Sequence, residues 1–431
     1  MSANYYRVEN QSYDFAELPA NGEATEEFVE THRRRIEPWL SAVFQSEHLA
    51  FLAGSGLSTA LTHAVGVRSV GMAKTSFLGD LDPKIDEAAR LSAKRMGRGA
   101  PNIEDQIHTC VALLTGLEIL GDGRAAALRT ALRRELVSFA NSIIDMEAAI
   151  LAAVRVDGQK LLRFRDQLSA LLLSFASRTA TRDRLHIFTT NYDRLIEYGF
   201  DLVGVRPIDR FVGGLSPMFR ASRFDVDLHY NPQGARLEAR PLEGVVRYAK
   251  LHGSVDWFYE DGCVHRHASA FGEKNPYLKA DSAEALMIYP NAAKDVETAY
   301  YPYADLFRDF SAALCRPNSS LVTYGYGFGD DHINRVINDM LSLPSTHLVI
   351  ISYDDKDKRV ARFVERSGRF AQISLLIGPH FGALEALTNF YLPKPAIDTI
   401  TFRKAELLER RGQRPEERKP ADGPVAAGGG A

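Results

Sequence analysis

The chain has 431 residues, material for two or three domains, with 45% hydrophobic and 25% charged residues, an ordinary balance for a globular protein. A formal net charge of −3 argues against electrostatic attachment to nucleic acid, so direct nucleic-acid binding is not expected. Cys110, Cys263 and Cys315 stand far apart, which disfavours a disulfide framework and a cysteine zinc site; no secretory signal and no apolar run long enough to cross a bilayer stands out, so the expectation is a cytoplasmic protein with no membrane partner.

Residues 1–46 read as a helical preface, with a polar start and then a helix carrying Arg33, Arg34 and Arg35, which reads as a solvated face. Residues 47–53 form the first buried strand. It ends in Ala53-Gly54-Ser55-Gly56-Leu57-Ser58, where a helix begins. Strand, glycine turn and helix together make a phosphate site: glycine lets backbone approach closely, and a helix N-terminus offers N–H groups and a positive dipole end. Gly-Ser-Gly is also a common plain turn.

Between 82 and 184 the apolar spacing becomes helical, in 103–120, 125–143 and 161–176, and reads as a helical insertion into an α/β domain. Residues 97–101 form a loop, and Asn102 is placed to cap the helix after it. The strand at 185–189 resumes the α/β pattern and the helix at 193–203 follows. Residues 206–244, rich in Arg, Gly and Pro, read as a lid, a binding loop or a run of small strands, with Gly213-Gly214 as a hinge and Arg206, Arg210, Arg220 and Arg223 able to meet phosphates on closure. Strands are expected at 245–251, 285–289, 320–324, 347–351 and 372–377, and helices at 331–341, 356–367 and 381–390. This alternation indicates an α/β, doubly wound, Rossmann-like parallel sheet built from 47–81 and 185–392. Residues 404–431, charged and then Pro/Gly/Ala-rich, are expected to form a disordered tail.

Three further segments sit where such sheets place ligands, at the C-terminal ends of strands. Thr190-Asn191-Tyr192-Asp193 offers the donor and acceptor of a carboxamide and an aspartate placed to cap a helix. Lys250-Leu251-His252-Gly253-Ser254 ends a strand in a histidine, which can act as a base near neutral pH or be held structurally. Gly325-Tyr326-Gly327 makes a second glycine turn, with Asp330 or Asp331 capping the next helix; His332, on that helix, does not read as a ligand.

The order of these four segments resembles the sirtuin-like (silent-information-regulator) family, over about residues 47–392. The resemblance implies the sirtuin fold and NAD+ as substrate, with no metal required. It implies that Ala53, Gly54, Ser55, Gly56 and Ser58 bind the pyrophosphate, that Asn191 holds the nicotinamide ribose and a water, and that Thr190 and Asp193 belong to that loop. His252 is then the general base, Gly325, Tyr326 and Gly327 meet the adenosine half, and Ser352 or Asp354 reaches the adenine ribose. The two C-x-x-C pairs usual in protein-deacylating sirtuins are missing. The chain looks like the bacterial branch that hydrolyses NAD+ in anti-phage defence, whose stand-alone members form oligomers and work beside a HerA-type ATPase. The expected activity is NAD+ glycohydrolysis. The alternatives are an NAD-dependent protein deacylase and a non-catalytic module that binds NAD or ADP-ribose. The helical insertion, whose apolar stripes the sheet alone does not cover, is expected to supply oligomer contacts.

Overall fold

Along β3 (His48–Ala53), Leu49, Phe51 and Ala53 enter one apolar core while Ala50 and Leu52 enter another. β14 (Ser319–Tyr324) and β15 (His347–Ser352) divide in the same way, with Val322, Val349 and Ile351 on one side and Leu321, Leu348 and Ile350 on the other. Strands buried on both faces need helices on both faces, which is the physical signature of a parallel sheet. The computed structural model describes residues 4–8, 14–18, 23–71, 74–95, 101–176, 183–222, 226–230, 240–278, 286–288 and 301–394. The chain divides into two compact units, Met1–Pro393 and Lys394–Ala431, and the elements below lie in the first. The expected tail, 404–431, lies outside the described residues.

The main sheet adds β1 (Asn4–Arg7), β2 (Asp14–Ala16), β4 (Leu185–Thr189), β5 (Arg206–Ile208), β10 (Val245–Lys250) and β16 (Ile373–Ile377), in the order β2-β1-β16-β15-β14-β3-β4-β10-β5. From β16 to β5 all pairings are parallel; β1 joins β16, and β2 joins β1, antiparallel. The preface is therefore not purely helical. Tyr6 is fully buried on the sheet edge and Asn4 and Arg7 nearly so, and Arg7 donates to the carbonyl of Ile373 at 2.7 Å. The pairing partner lies about 370 residues away, so no local pattern announces these strands.

One face is covered by α1 (Glu26–Phe44), α2 (Ser55–Ala64), α3 (Asp82–Arg95), α4 (Ile103–Ile119), α5 (Arg124–Val156), α6 (Gly158–Ala176) and α7 (Leu195–Val203). α8 (Tyr303–Leu314), α9 (Asp331–Leu341) and α10 (Arg359–Ser367) cover the other. The helices of 82–176 share one apolar core with the sheet. Phe175 of α6 packs between Phe44 and Phe51, with ring centroids 4.4 Å from each. Much of their apolar stripes, from Ile107 and Cys110 through Leu136 and Ile144 to Leu168 and Leu172, is thus covered within the chain, while Leu91, Ile119, Leu120, Val156 and Leu162 of the same segment stay exposed. α5 also corrects the reading of no membrane-length apolar run: by length and composition it is long and apolar enough to span one. Here its stripe of Leu128, Leu132, Leu136, Phe139, Ile143, Ile150 and Val154 lies in the core.

Segments before and after β10 make a second, antiparallel sheet, of which the sequence reading named only the strand at 285–289. This sheet contains β6 (Phe211–Val212), β7 (Met218–Phe219), β11 (Gly253–Glu260), β12 (Cys263–Arg266) and β13 (Leu286–Ile288), in the order β13-β11-β12-β7-β6. β8 (His229–Tyr230) and β9 (Arg240–Pro241) form a separate pair. The stretch 206–244 therefore contains, among its described residues, the small strands β5, β6, β7, β8 and β9.

Candidate active site

The sheet order reverses at β3. The chain moves from β3 to β4 and β10 on one side, then crosses to β14, β15 and β16 on the other. The chain leaving β3 thus enters α2 on one face and the chain leaving β14 enters α9 on the other, at the C-terminal edge where doubly wound sheets bind ligands. A cavity of about 440 Å³ opens there, within the range of small-molecule sites.

The two glycine turns interlock. Gly56 N–H donates to the Gly325 carbonyl at 3.0 Å, and Gly54 N–H to the Tyr324 carbonyl at 3.0 Å. A Cβ on Gly56 would lie 2.5 Å from Gly325 Cα, and Gly325 itself has φ +61°. Gly56 and Gly325 are therefore required by contact between the turns and do not line the cavity, whereas Gly54, Ser55 and Gly327 do. The approach that glycine permits here is mainly backbone to backbone.

Asn191 lies at the end of β4, nearly buried. Its Nδ2 donates to the Gly54 carbonyl at 2.9 Å and to Ser58 Oγ at 2.9 Å. The Ser58 hydroxyl donates in turn to Asp193 Oδ2 at 2.5 Å, and Asp193 Oδ1 accepts the Leu195 N–H at 3.2 Å; the N-cap of α7 is Arg194, so Asp193 stands one residue before the cap position expected of it. Asn191, Ser58 and Asp193 form one chain that rivets the β4 loop to α2. Among the described residues Asn191 Oδ1 takes no hydrogen bond, so the carboxamide keeps an acceptor at the cavity wall. From below, the fully buried Lys250 ammonium donates to the Asp193 carbonyl and to Glu197 Oε1 at 3.0 Å.

Thr190, His252 and Tyr326 also line the cavity. His252 follows β10 and is nearly buried, its ring 6.5 Å from that of Tyr192. Its Nε2 lies 3.2 Å from Nε2 of His332, the second residue of α9, so His332 is part of the site's surroundings although it does not line the cavity. Tyr326 holds the end of its own turn, donating to Asn334 Oδ1 at 3.1 Å.

Other expected residues stand elsewhere. Ala53 is fully buried behind the turn, its carbonyl taken by the Thr190 N–H at 3.1 Å and the Thr189 hydroxyl at 3.0 Å. Ser352 and Asp354 end β15, one strand away. Neither lines the cavity, and the Ser352 hydroxyl donates to the Asp354 carbonyl at 2.7 Å. From the end of β15 onward it is Asp357 and Arg359 that reach the cavity. Arg210 is not available to phosphate: it is buried and pairs with Asp309 through 2.6 and 2.5 Å bonds. Of the described residues in 206–244 none lines the cavity, and Arg223 lies outside them.

The sequence reading missed the part of the lining that the helices of 82–176 supply. Asn102, Glu104, Phe139, Ile143 and Met146 come from the start of α4 and the middle of α5. The signal at hand was the Asn102 cap. Asn102 accepts the Asp105 N–H at 3.0 Å while Asp105 accepts the Asn102 N–H at 3.1 Å, a capping box that fixes the start of α4, where Glu104 is the second residue. Glu104 Oε1 lies 3.4 Å from the Tyr192 hydroxyl. Burial, with Glu104 beside it, pushes the Tyr192 phenol well above its ordinary range, so it remains the donor. α5 is clamped to the same loop by Glu147, which takes the Arg194 N–H at 2.7 Å and its guanidinium at 2.6 Å. Among the described residues no group of three or more His, Cys, Asp or Glu side chains is placed to hold a metal ion.

The residues present fit a dinucleotide. Gly54 and Ser55 present the start of α2, Arg359 brings a cation, and Asn191 and Thr190 bring neutral hydrogen-bonding groups. A comparison with curated proteins finds no match. A family model described as SIR2-like domain matches residues 185–369, which include Asn191, His252 and the turn at Gly325–Gly327. That likeness, which spans less than half of the chain, agrees with the mostly parallel α/β sheet and with the position of the cavity at its C-terminal edge.

Proposed function

We propose that the protein is an NAD+ hydrolase that cleaves the nicotinamide–ribose bond to give nicotinamide and ADP-ribose. The observation that carries this reading is that Asn191 and His252 line one cavity with the N-terminal turn of α2. Breaking the C–N bond leaves its electron pair on nicotinamide and builds positive charge on the ribose. Asn191 orients the sugar through its remaining acceptor, and His252 takes the proton of the attacking water, a contribution of typically ~10²–10⁴-fold. Phe139, Ile143 and Met146 add an apolar surface to the cavity, and Glu104 adds a carboxyl group to its lining.

Purified protein incubated with NAD+, with and without an acetylated peptide, tests the reading. Release of nicotinamide and ADP-ribose without peptide is expected. Release only with peptide would establish a deacylase, and binding without turnover a non-catalytic module. We further propose, on the resemblance, that the protein works in the cytoplasm as an anti-phage defence effector by NAD+ depletion, as a homo-oligomer beside a HerA-type ATPase. Light scattering alone and after co-expression with such an ATPase checks the assembly, and phage challenge of cells carrying wild type or Asn191→Ala checks the role.

A further inference from the structure

We infer that His332 is a positioning residue for His252, the two imidazoles forming a dyad that selects the nitrogen of His252 that accepts the proton. The inference rests on the reading of His252 as general base. Two Nε2 atoms at 3.2 Å are at hydrogen-bond distance and share a single proton, because two N–H groups or two lone pairs facing one another would repel. His252 borders the cavity and His332 does not, so the pair runs from the cavity into the protein. Both rings are nearly buried, and the edge of Phe307, with ring centroids 4.8 Å apart, fixes the orientation of His332. With His252 Nε2–H donating to His332 Nε2, the lone pair of His252 lies on Nδ1, and Nδ1 takes the proton of the attacking water. The proton arriving at Nδ1 makes His252 an imidazolium, and its bond to His332 becomes charge-assisted and stronger. His332 thus acts on the transition state through His252, without touching substrate.

The ionisable groups around the pair come from several elements. Tyr192 stands beside His252, with Glu104, Tyr303 and Asp330 acting on that phenol, and Asp331 and Arg335 lie on α9 with His332. These groups are the same in every variant compared. The effect of His332 is read as a change against that fixed background.

The experiment measures nicotinamide release for wild type, His252→Ala, His332→Phe and His332→Gln across about pH 5–9, with NAD+ affinity measured separately. Loss of an acceptor for a charged donor is expected to lower kcat about ten- to a hundredfold in His332→Phe, at unchanged KM. The ascending limb of its kcat profile moves to lower pH by roughly one unit, because the imidazolium has lost its acceptor. His332→Gln, whose side-chain oxygen accepts in the same place, restores most of both. Wild-type activity in His252→Ala would overturn the reading of His252 itself. An inactive His252→Ala beside a His332→Phe with wild-type kcat and pH limb, or with a limb moved upward, would overturn the dyad alone. If His332→Phe fails to fold, ¹⁵N-histidine spectra of the wild type decide: a neutral His252 protonated at Nε2 supports the dyad, and one protonated at Nδ1 overturns it.

Discussion

Glu147 ties the helices of 82–176 to the loop that carries Asn191, and its removal has a calculable cost. Its side chain is fully buried on α5. Oε1 accepts the Arg194 N–H at 2.7 Å, and Oε2 accepts the Arg194 guanidinium at 2.6 Å and the Gly272 N–H at 3.1 Å. Arg194 also donates to Ser269 Oγ at 2.8 Å, so a single carboxylate joins α5, the site loop and the turn at 269–272. Glu147→Ala leaves a buried guanidinium without its carboxylate, which costs about 3–5 kcal/mol. With an unfolding entropy of about 2.1 cal/mol/K per residue, 4 kcal/mol in a unit of roughly 390 residues lowers Tm by about 5 °C. Nicotinamide release is expected to fall as well, because Arg194 follows directly on Asn191–Asp193. Replacing both partners, as Glu147→Leu with Arg194→Met, is expected to recover most of the stability, since no charge is then buried alone, and little of the activity. Scanning calorimetry and a nicotinamide assay on the three variants test this. A Glu147→Ala protein melting within about 1 °C of wild type would refute the reasoning.

Asn191→Ala removes the acceptor at the cavity together with both Nδ2 bonds to the β3–α2 turn, and is expected to lower turnover at least tenfold, about 1.4 kcal/mol of transition-state stabilisation; retention of more than about a tenth of wild-type activity excludes Asn191 from the mechanism. Gly325→Ala places a Cβ 2.5 Å from Gly56 Cα at φ +61°, so the two turns must separate, and both Tm and NAD+ affinity are expected to fall; wild-type NAD+ binding by calorimetry would show that the interlocked turns do not shape the site. His380 is lowered from 6.5 to about 4 by burial, with His32 adding to the effect. The unfolded chain therefore takes up this proton before the folded one does, so stability present above pH 6.5 is lost as pH falls towards about 4, by at most about 3 kcal/mol. Urea midpoints of wild type and His380→Gln over that window measure it, and an identical pH slope in the variant would sink the assignment.

The sequence by itself determined the architecture of the main sheet and most of one side of its site. Short apolar strands such as 48–53 and 347–352 alternate with helices, and both periodicities act within a few residues. The residues at strand ends follow from the same local logic: Gly54, Thr190, Asn191 and His252 meet because parallel strands bring their C-terminal ends to one edge. The Asn102 cap was legible for the same reason, being a contact across three residues. Only the tertiary structure decided what else lines the cavity and what stands behind it. Glu104, Phe139 and Met146 belong to helices whose pattern announces an apolar face without naming what that face covers. Tyr6 finds its partner strand at the other end of the unit, and the hairpin of β11 and β12 depends on a second sheet assembled from distant pieces. Gly56 and Gly325 look like ligand glycines until the 2.5 Å approach between their turns assigns them to each other. His332, set aside as a helix residue, lies 3.2 Å from His252 although 80 positions separate them, because the crossover after β10 carries the chain to β14 and brings α9 over the cavity edge. Spacing along a chain encodes periodicity and caps, whereas such a pairing exists only once the sheet order is formed.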